Sequence, residues 1–317
     1  MILVTGASGF IGDALCGKLS ALAPLRASVR NEHSFNFSEN VEISKASLSM
    51  DQDWTSVLDG ISVVIHCASR VHVVNECAIE PLFEFRQVNV LGTLNLARQA
   101  AKAGVKRFIF ISSIKVNGEF TDLGHPFSVE QSPFPIDPYG VSKYEAELAL
   151  IELANESGME LVIIRPPLVY GPGVKANFLS MMKLVLSNIP LPFGGITQNR
   201  RSFIFLDNLV DVITLCIRHP AAANQIFLVS DDDDISTAEL LRRMAAALGR
   251  PSRLFQAPSA LIKLAARLTG MGDINLRLLS SLQVDIKKTK DLLGWSPPVS
   301  VDEGLRQTAA HFLQMQS

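Results

Sequence analysis

Residues 5–12 have the sequence Thr5-Gly6-Ala7-Ser8-Gly9-Phe10-Ile11-Gly12, directly after the apolar run Ile2-Leu3-Val4 and before a stretch with helical periodicity. Gly6 and Gly9 allow a sharp backbone turn that approaches a pyrophosphate closely, and Gly12 allows a helix to pack tightly on the strand. The first N–H groups of that helix, and the positive end of its dipole, attract phosphate. The pattern therefore predicts a dinucleotide site that is lined by Gly6, Ser8, Gly9, Phe10, Ile11 and Gly12.

The N-terminal half of the chain alternates apolar runs with helical patterns. The runs of strand length are Ile2–Val4, Arg26–Val29, Val63–Cys67, Phe108–Ile111 and Leu161–Ile164. The helical patterns cover Ile11–Ser20, Leu91–Ala103 and Tyr139–Glu156. Such alternation with nearly all-apolar strands predicts the α/β class, with a doubly wound parallel sheet that helices cover on both faces.

After Pro172 the alternation becomes less regular, which predicts two domains. Residues 1–172 are expected to bind the nucleotide, and residues 173–317 to form a smaller C-terminal substrate lobe. Part of 203–230 is expected to return to the main sheet, with Phe203–Ile213 as a candidate segment. Ser236 and Glu239 form a capping box that predicts a helix over Leu240–Leu248. The run Asp231–Asp234 is interpreted as a solvated loop, and Ser259–Leu268 as a packing helix.

Composition excludes several classes of partner. The chain has 317 residues, of which 48% are hydrophobic, and its net charge of −2 gives no general attraction to nucleic acid or to an anionic membrane. The cysteines Cys16, Cys67, Cys77 and Cys216 lack paired metal-ligand spacing, so we expect no metal site and a reducing compartment. No apolar run approaches the roughly 20 residues of a membrane span. We therefore expect a cytoplasmic protein.

Tyr139 and Lys143 are four positions apart at a predicted helix start, a spacing that places both on one helix face. Tyrosine has an ordinary pKa of about 10, which is too high for a base near neutral pH. A lysine ammonium held nearby, together with the positive ring of the cofactor, is expected to stabilise the phenolate and lower that pKa. Ser113 ends the strand segment Phe108–Ser113 and is the candidate to hydrogen-bond the reacting oxygen.

The G-x-x-G-x-x-G turn, the Tyr-x-x-x-Lys pair and the chain length together resemble the extended short-chain dehydrogenase/reductase superfamily, which has a Rossmann-type fold. The resemblance implies that Ser113, Tyr139 and Lys143 are catalytic, and that Lys143 also holds the nicotinamide ribose. It further implies that Ala68, Asn89 and Pro166 border the cofactor. His66 is interpreted as positional. A homodimer formed by the Leu91–Ala103 and Tyr139–Glu156 helices is likewise implied by resemblance only.

The end of the second strand bears on the choice of cofactor. An acidic residue there binds the ribose hydroxyls of NAD, whereas this chain has Ala27-Ser28-Val29-Arg30-Asn31. Arg30 is suited to pair with the 2′-phosphate of NADP. The sequence therefore predicts an NAD(P) enzyme with NADP favoured over NAD.

Beyond the cofactor half, Arg165-Pro166-Pro167-Leu168-Val169-Tyr170-Gly171-Pro172-Gly173 resembles the epimerase/dehydratase family of nucleotide-sugar enzymes. The resemblance implies that a UDP-sugar is bound. Arg201 would pair with a phosphate, and the backbone around Leu191 and Phe193 would border the uracil. Asn177 falls where this family also contacts the nucleotide.

Departures from the family pattern reduce the number of reactions that this chain is expected to catalyse. Sugar-nucleotide 4,6-dehydratases carry an Asp-Glu pair where this chain has Ile114 and Lys115, so elimination is not expected. Typical UDP-galactose 4-epimerases carry an asparagine where this chain has Leu168. We predict hydride transfer at C4 of a UDP-hexose, by a 4-keto-6-deoxy-sugar reductase of polysaccharide pathways or by a 4-epimerase. A strict UDP-glucose or UDP-GlcNAc 4-epimerase is one alternative, and a non-catalytic NAD(P)-binding sensor is another.

Overall fold

The computed structural model describes residues 1–31, 40–71, 80–257 and 279–316. Its strands are β1 (Ile2–Thr5), β2 (Leu25–Val29), β3 (Val41–Lys45), β4 (Val63–His66), β5 (Arg107–Ile111), β6 (Glu160–Arg165), β7 (Leu168–Tyr170), β8 (Phe203–Phe205) and β9 (Gln225–Leu228). Its α-helices are α1 (Phe10–Leu19), α2 (Thr55–Leu58), α3 (Pro81–Phe85), α4 (Thr93–Lys102), α5 (Pro138–Ser157), α6 (Ala176–Leu186), α7 (Leu206–Cys216), α8 (Thr237–Ala247), α9 (Lys287–Leu293) and α10 (Val301–Gln314). A π-helical segment covers Arg86–Gly92, and 3₁₀ turns cover Ile114–Val116 and Pro220–Ala222.

The main sheet confirms the predicted Rossmann-type fold. In the described part of the chain it has seven parallel strands in the order β3-β2-β1-β4-β5-β6-β9. The chain runs outward from β1 to β3 and then crosses back to β4 on the other side of β1. Ligands of open parallel sheets bind beyond the carboxyl ends of the strands at this reversal. The crevice therefore lies where Thr5 pairs with His66.

Successive residues of the central strands alternate between two helical layers. In β5, Ile109 and Ile111 belong to the core cluster that includes residues of α1 and α7, whereas Phe108 and Phe110 belong to the cluster that includes residues of α4 and α5. Because both faces are buried, nearly every strand position is apolar. This explains why the five strands predicted from apolar runs have observed ends within one residue of the predicted ones.

The chain returns to the main sheet at β9, which pairs with β6 and lies in the expected range 203–230, but outside the candidate segment Phe203–Ile213. Phe203–Phe205 forms a separate two-stranded parallel sheet with β7, and Leu206–Cys216 is a helix. The apolar character of β8 has another cause than burial in the main sheet. Phe203 and Phe205 are instead buried in another cluster of apolar side chains, which includes residues of α6, α8 and α10.

The run Asp231–Asp234 is not the solvated loop that we expected. Asp231 is only 6% exposed and accepts hydrogen bonds from Phe205 N (2.8 Å), Asn208 Nδ2 (2.7 Å) and Tyr170 Oη (2.9 Å). The other three carboxylates bind cationic or polar side chains, which are Lys290, Arg243, Ser202 and Gln283. The run therefore ties β8 and α9 to the segment after β9.

Three further predictions concern single segments. The predicted helix start is confirmed, since Ser236 is the N-cap of α8 and its hydroxyl accepts from Glu239 N, while the Glu239 carboxylate binds Arg243. Cys16 and Cys216 are buried as expected, and Cys67 is half-buried, while Cys77 and Ser259–Leu268 lie outside the described residues. Within the described ranges, no helix combines the length and the apolar character that a membrane crossing requires.

Candidate active site

The glycine turn connects β1 to α1 at the carboxyl edge of the main sheet. Gly6 has a φ of +66°, and a Cβ atom there would lie 2.7 Å from Ala68 N. A Cβ atom at Gly12 would lie 2.2 Å from the Gly6 carbonyl oxygen, so both positions require glycine. Gly9 is the N-cap of α1 and supplies no side-chain cap, which leaves the first N–H groups of the helix available to a phosphate. The residues therefore fit a dinucleotide.

Arg30 lies directly after β2 and is exposed. Among the described residues it has neither an ion-pair nor a hydrogen-bond partner. Its strand neighbour Val29 pairs in register with Lys45 of β3, which is also exposed. The positive charge of this exposed guanidinium suits an anion at the end of β2, where the adenosine end of the cofactor is expected.

Tyr139 and Lys143 lie in the first turns of α5. Asp137 is the N-cap, its carboxylate accepts from Gly140 N, and Pro138 occupies the first helical position. The Lys143 ammonium lies 4.1 Å from the centroid of the Phe110 ring, a cation–π contact, and only 2% of the residue is exposed. Tyr139 is hydrogen-bonded to Ser69 in the segment after β4. The helix therefore presents both side chains to the carboxyl ends of β4 and β5.

Burial dominates the electrostatics of this pair when only the protein's own groups act. It raises the pKa of Tyr139 to about 12, although the hydrogen bond with Ser69 acts in the opposite direction. It lowers the pKa of Lys143 to about 7, against the attraction of the Glu147 carboxylate. Desolvation disfavours both charged forms, so the predicted lowering of the Tyr139 pKa depends on the positive ring of the cofactor as well as on Lys143.

Ser113 begins the short 3₁₀ turn after β5. Its Oγ accepts a hydrogen bond from Lys115 N at 3.3 Å, which leaves its own hydroxyl proton available to another acceptor. Ile114 N donates to Pro166 O at 3.0 Å, and a Cβ atom at Gly140 would lie 2.8 Å from the Lys115 carbonyl oxygen. The structure thus packs the segment that carries Ser113 against the start of α5 and the end of β6.

Asn89 lies inside the π-helical segment and is 1% exposed. Its amide oxygen accepts from Arg70 N at 2.7 Å, and its Nδ2 donates to Arg70 O and Ser142 Oγ, both at 3.0 Å. These contacts join the segment after β4 to α5. Asn89 therefore braces the loop that carries Ser69 and Ala68 against the helix that carries Tyr139.

His66 is fully buried at the end of β4. Its Nδ1 lies 2.6 Å from Thr5 Oγ1 and its Nε2 lies 2.9 Å from Thr93 Oγ1. Burial, followed by the positive charge of Lys143, lowers the pKa of His66 to about 3. A neutral imidazole locked between two hydroxyls agrees with the positional interpretation.

Lys115 does not supply the acid–base chemistry that a dehydratase requires at this position. Its ammonium pairs with the Asp137 carboxylate and lies 3.3 Å from Glu119 Oε1. A cation at this place supplies neither the acid nor the base of an elimination.

The predicted substrate residues lie on α6 or between α6 and β8. Asn177 is exposed in the first turn of α6. Leu191 N donates to Arg253 O and Leu191 O accepts from Phe255 N, so this backbone is already paired. Phe193 packs against the core cluster that includes residues of α6 and α8. Arg201 is half-buried and its Nη1 donates to Ser280 O at 3.1 Å. Arg201 and Leu191 thus have protein partners that the sequence did not reveal.

Comparison with known proteins identifies the family. The model of the NAD dependent epimerase/dehydratase family matches residues 2–230. A UDP-glucose 4-epimerase of Vibrio cholerae is 50% identical over 313 residues, which is 99% of this chain and 95% of that protein. The chain belongs to this family. It is therefore an enzyme of the short-chain dehydrogenase/reductase type.

Solved structures share the fold of this family member over its whole length. The UDP-glucuronic acid 4-epimerase of Bacillus cereus, solved with NAD, has a TM-score of 0.80 at 21% identity and covers 100% of this chain and 99% of its own. MoeE5, solved with UDP-glucuronic acid and NAD, has a TM-score of 0.76 at 25% identity and covers 99% of both chains.

Sequence reasoning missed several residues that surround the centre. Ser69 and Phe110 contact Tyr139 and Lys143, and neither belongs to the motif that identified the pair. Glu147 continues the spacing of four from Tyr139 through Lys143, so its place on the same helix face was visible in the sequence. Its ion pair with Arg165 was not.

Proposed function

We propose that this family member transfers hydride at C4 of a UDP-linked hexose, and that its net reaction is 4-epimerisation. The observation that carries the proposal is the packing of Ser113, Tyr139 and Lys143 around one carboxyl edge of the sheet, beside the glycine turn. The similarity to the Vibrio cholerae UDP-glucose 4-epimerase over almost the whole chain supports the choice of sugar and position. MoeE5, with UDP-glucuronic acid and NAD, supports the pair of ligands.

The residues that hold the cofactor are those of the crevice. Phe10, Ile11 and Gly12 offer backbone N–H groups to the pyrophosphate, while Ser8, Ala68 and Pro166 border it. Lys143 holds the nicotinamide ribose, and Asn89 fixes the adjoining loop. When bound, NAD supplies the ring carbon that accepts and returns the hydride.

The chain's own residues move and hold the proton at the C4 oxygen. In the oxidative half, Tyr139 must act as the phenolate, which Lys143 and the positive ring of bound NAD would stabilise, and it takes the C4 hydroxyl proton as the hydride leaves C4, which gives the 4-keto sugar. In the reductive half, Tyr139 returns its proton to the C4 oxygen as hydride reaches the other face. Ser113 donates a hydrogen bond to that oxygen throughout, because its Oγ already accepts from Lys115 N. Inversion requires the keto sugar to turn over between the halves.

Reduction of a UDP-4-keto-6-deoxy sugar is the second candidate, and Arg30 favours it. A reductase must exchange its oxidised cofactor after each turnover, and an exposed guanidinium at the adenosine end suits NADPH. The preference for NADP over NAD stays a prediction that rests on Arg30 alone.

One assay separates these candidates. Purified protein is incubated with UDP-glucose, UDP-GlcNAc and a UDP-4-keto-6-deoxy sugar, each with NAD, NADH or NADPH in separate reactions. We expect inversion at C4 without net loss of cofactor absorbance. Stoichiometric loss of absorbance with only the keto sugar would establish the reductase instead. Cofactor binding without turnover of any of the three sugars would favour the non-catalytic sensor.

Arg30→Asp tests the cofactor assignment, and Lys45→Asp is the matched control because it makes the same charge change one strand further out. We expect Arg30→Asp to weaken NADP binding relative to NAD by at least about tenfold, as expected for loss of a charge-assisted phosphate contact. Fluorescence titration with NADPH and NADH measures the ratio. An unchanged ratio in Arg30→Asp, or an equal change in Lys45→Asp, would contradict the assignment.

The substrate contacts and the assembly extend the same proposal. Arg201 pairs with the UDP diphosphate, Asn177 contacts the nucleotide, and the chain around Leu191 and Phe193 borders the uracil. Residues 1–172 thus bind the cofactor and 173–317 mainly the UDP-sugar, with two copies joined through α4 and α5.

Two measurements test these proposals. Arg201→Ala should raise the KM for a UDP-sugar and leave NADH affinity unchanged. Sedimentation of the wild-type protein should show a dimer.

A further inference from the structure

Four buried polar residues form a connected network behind the hydride-transfer centre. Glu147 and Arg165 are 1% and 3% exposed, and their side chains form a two-point ion pair with contacts of 2.9 Å and 2.5 Å. Ser112 Oγ lies 2.5 Å from Glu147 Oε1, and Arg165 Nη1 lies 2.9 Å from Asn117 Oδ1. Asn117 Nδ2 in turn donates to Ser128 O.

The network reaches each segment that carries a residue of the centre. Ser112 and Asn117 stand on either side of Ser113, at the end of β5 and after the 3₁₀ turn. Glu147 is on α5, one helical turn past Lys143, and Arg165 ends β6 directly before Pro166. The relative positions of β5, α5 and β6 at this edge are therefore fixed by one carboxylate and its partners.

We propose that Glu147 is a positioning residue of the hydride-transfer centre, which holds the segment of Ser113 and the end of β6 in register with Tyr139 and Lys143. The expected effect of Glu147 on turnover rests on the proposed function. The expected effect of Glu147 on Lys143 concerns cofactor binding alone, and it is measured without a sugar.

Glu147 also supplies the negative charge that faces Lys143 in a dry environment. Lys143 packs on Phe110, and the titratable groups around it are Tyr139 and Glu147 on α5 and Cys67 and His66 at the end of β4. His66 is neutral near pH 7, and burial raises the pKa of the Cys67 thiol to about 12. Arg165 is paired to Glu147. Among these groups, Glu147 is the one whose charge opposes the lowering of the Lys143 pKa by burial most strongly.

The experiment compares Glu147→Gln with Glu160→Gln. Glu160 pairs with Arg107 between the opposite ends of β5 and β6, so the control breaks an ion pair of the same two strands away from the crevice. NADH affinity is measured by fluorescence titration from pH 5 to pH 9. Loss of the Lys143 ammonium weakens binding as the pH rises. We expect the midpoint of this loss to move down by about one pH unit in Glu147→Gln and to stay in place in Glu160→Gln.

Glu147→Gln leaves the Arg165 guanidinium buried without its counter-charge, which destabilises the folded protein. The double variant Glu147→Gln with Arg165→Gln removes both charges. A smaller downward shift is expected in it, because loss of the Arg165 charge favours the Lys143 ammonium. An unchanged midpoint in a folded variant would overturn the inference, as would an equal shift in Glu160→Gln.

The pH profile of kcat with a UDP-hexose adds the second readout. Its alkaline limb should move down with the binding midpoint, and kcat should fall more than the KM rises. If wild type turns over no UDP-hexose while the binding midpoint still shifts, the proposed function fails and the role of Glu147 for Lys143 stands. If wild type is active and the midpoint does not move, the inference about Glu147 fails alone.

Discussion

The two ends of the β5–β6 strand pair each carry an Arg–Glu ion pair, and the two pairs have different surroundings. At the amino end, Arg107 binds Glu160 and donates to the carbonyl oxygens of Cys216 and His219 at the end of α7. The Glu160 side chain is 43% exposed, so one partner keeps its water. At the carboxyl end, Glu147 and Arg165 are both removed from water.

The contrast shows which end of the strand pair carries the energetic cost of burying two ions. A buried ion pair seldom stabilises a protein more than well-packed apolar residues of the same volume would, because both ions lose their hydration. The amino end uses its cation to satisfy helix carbonyls, which stability alone explains. The carboxyl end keeps two desolvated charges beside Lys143, which stability alone does not explain.

The largest effect is expected for Tyr139→Phe, at the carboxyl end. Removal of the hydroxyl that exchanges the proton should lower kcat by about a thousandfold. The free energy of unfolding should change little, because the ring still packs against Phe85 at 6.0 Å. Steady-state kinetics and urea unfolding of both proteins test this. Turnover at the wild-type rate would remove Tyr139 from the mechanism.

Glu147→Gln should lower the free energy of unfolding by about 3 kcal/mol, since it leaves the Arg165 guanidinium buried without a counter-charge. Urea denaturation at pH 7 measures the loss. Restoration of part of the loss by the added change Arg165→Gln would show that the stranded cation is its source. A loss below about 1 kcal/mol would place this pair in the same class as the pair at the amino end.

Lys143→Met should reveal the cost of the buried ammonium through pH. Burial lowers the pKa of Lys143 from 10.5 in the unfolded chain to about 7 in the folded protein. Between these values the unfolded chain binds more protons, so wild-type stability rises with pH by up to about 1.4 kcal/mol per unit relative to the variant. This contribution is lost as the pH falls through 7. Unfolding curves at pH 6, 8 and 9.5 test it, with the exposed Lys45→Met as control.

The smallest effect is expected for Glu160→Gln, which should change the free energy of unfolding by less than about 1 kcal/mol. Arg107 keeps two carbonyl partners in this variant. Thermal unfolding at two salt concentrations checks the expectation. A loss as large as that of Glu147→Gln would erase the difference between the two ends.

The parts of the fold that were predictable depend on neighbours in sequence. The glycine turn, the apolar strands and the helix start at Ser236 involve residues within about ten positions of one another, so their patterns are complete in a short window. Tyr139 and Lys143 belong to the same class. Their type and spacing on one helix were sufficient to predict that they share a face.

The parts that were not predictable depend on partners far along the chain. Glu147 meets Arg165 and Ser112 at separations of 18 and 35 residues, and Asp231 meets Tyr170 at a separation of 61. Composition alone made the aspartate run look solvated. The desolvation of Tyr139 and Lys143 was missed for a related reason, because spacing reveals a charged neighbour but not the loss of water around both groups.

The π-helical segment Arg86–Gly92 lets one continuous helix serve two partners. A π turn takes up about one residue more than an α turn, and each residue rotates an α-helix by about 100°. The helix before the segment is thus out of phase with the helix after it. Phe85 on one side faces Tyr139, whereas Leu96 and Ala100 on the other side face the sheet. The added residue therefore rotates the helix, so that the part before the segment faces the catalytic pocket and the part after it faces the apolar core.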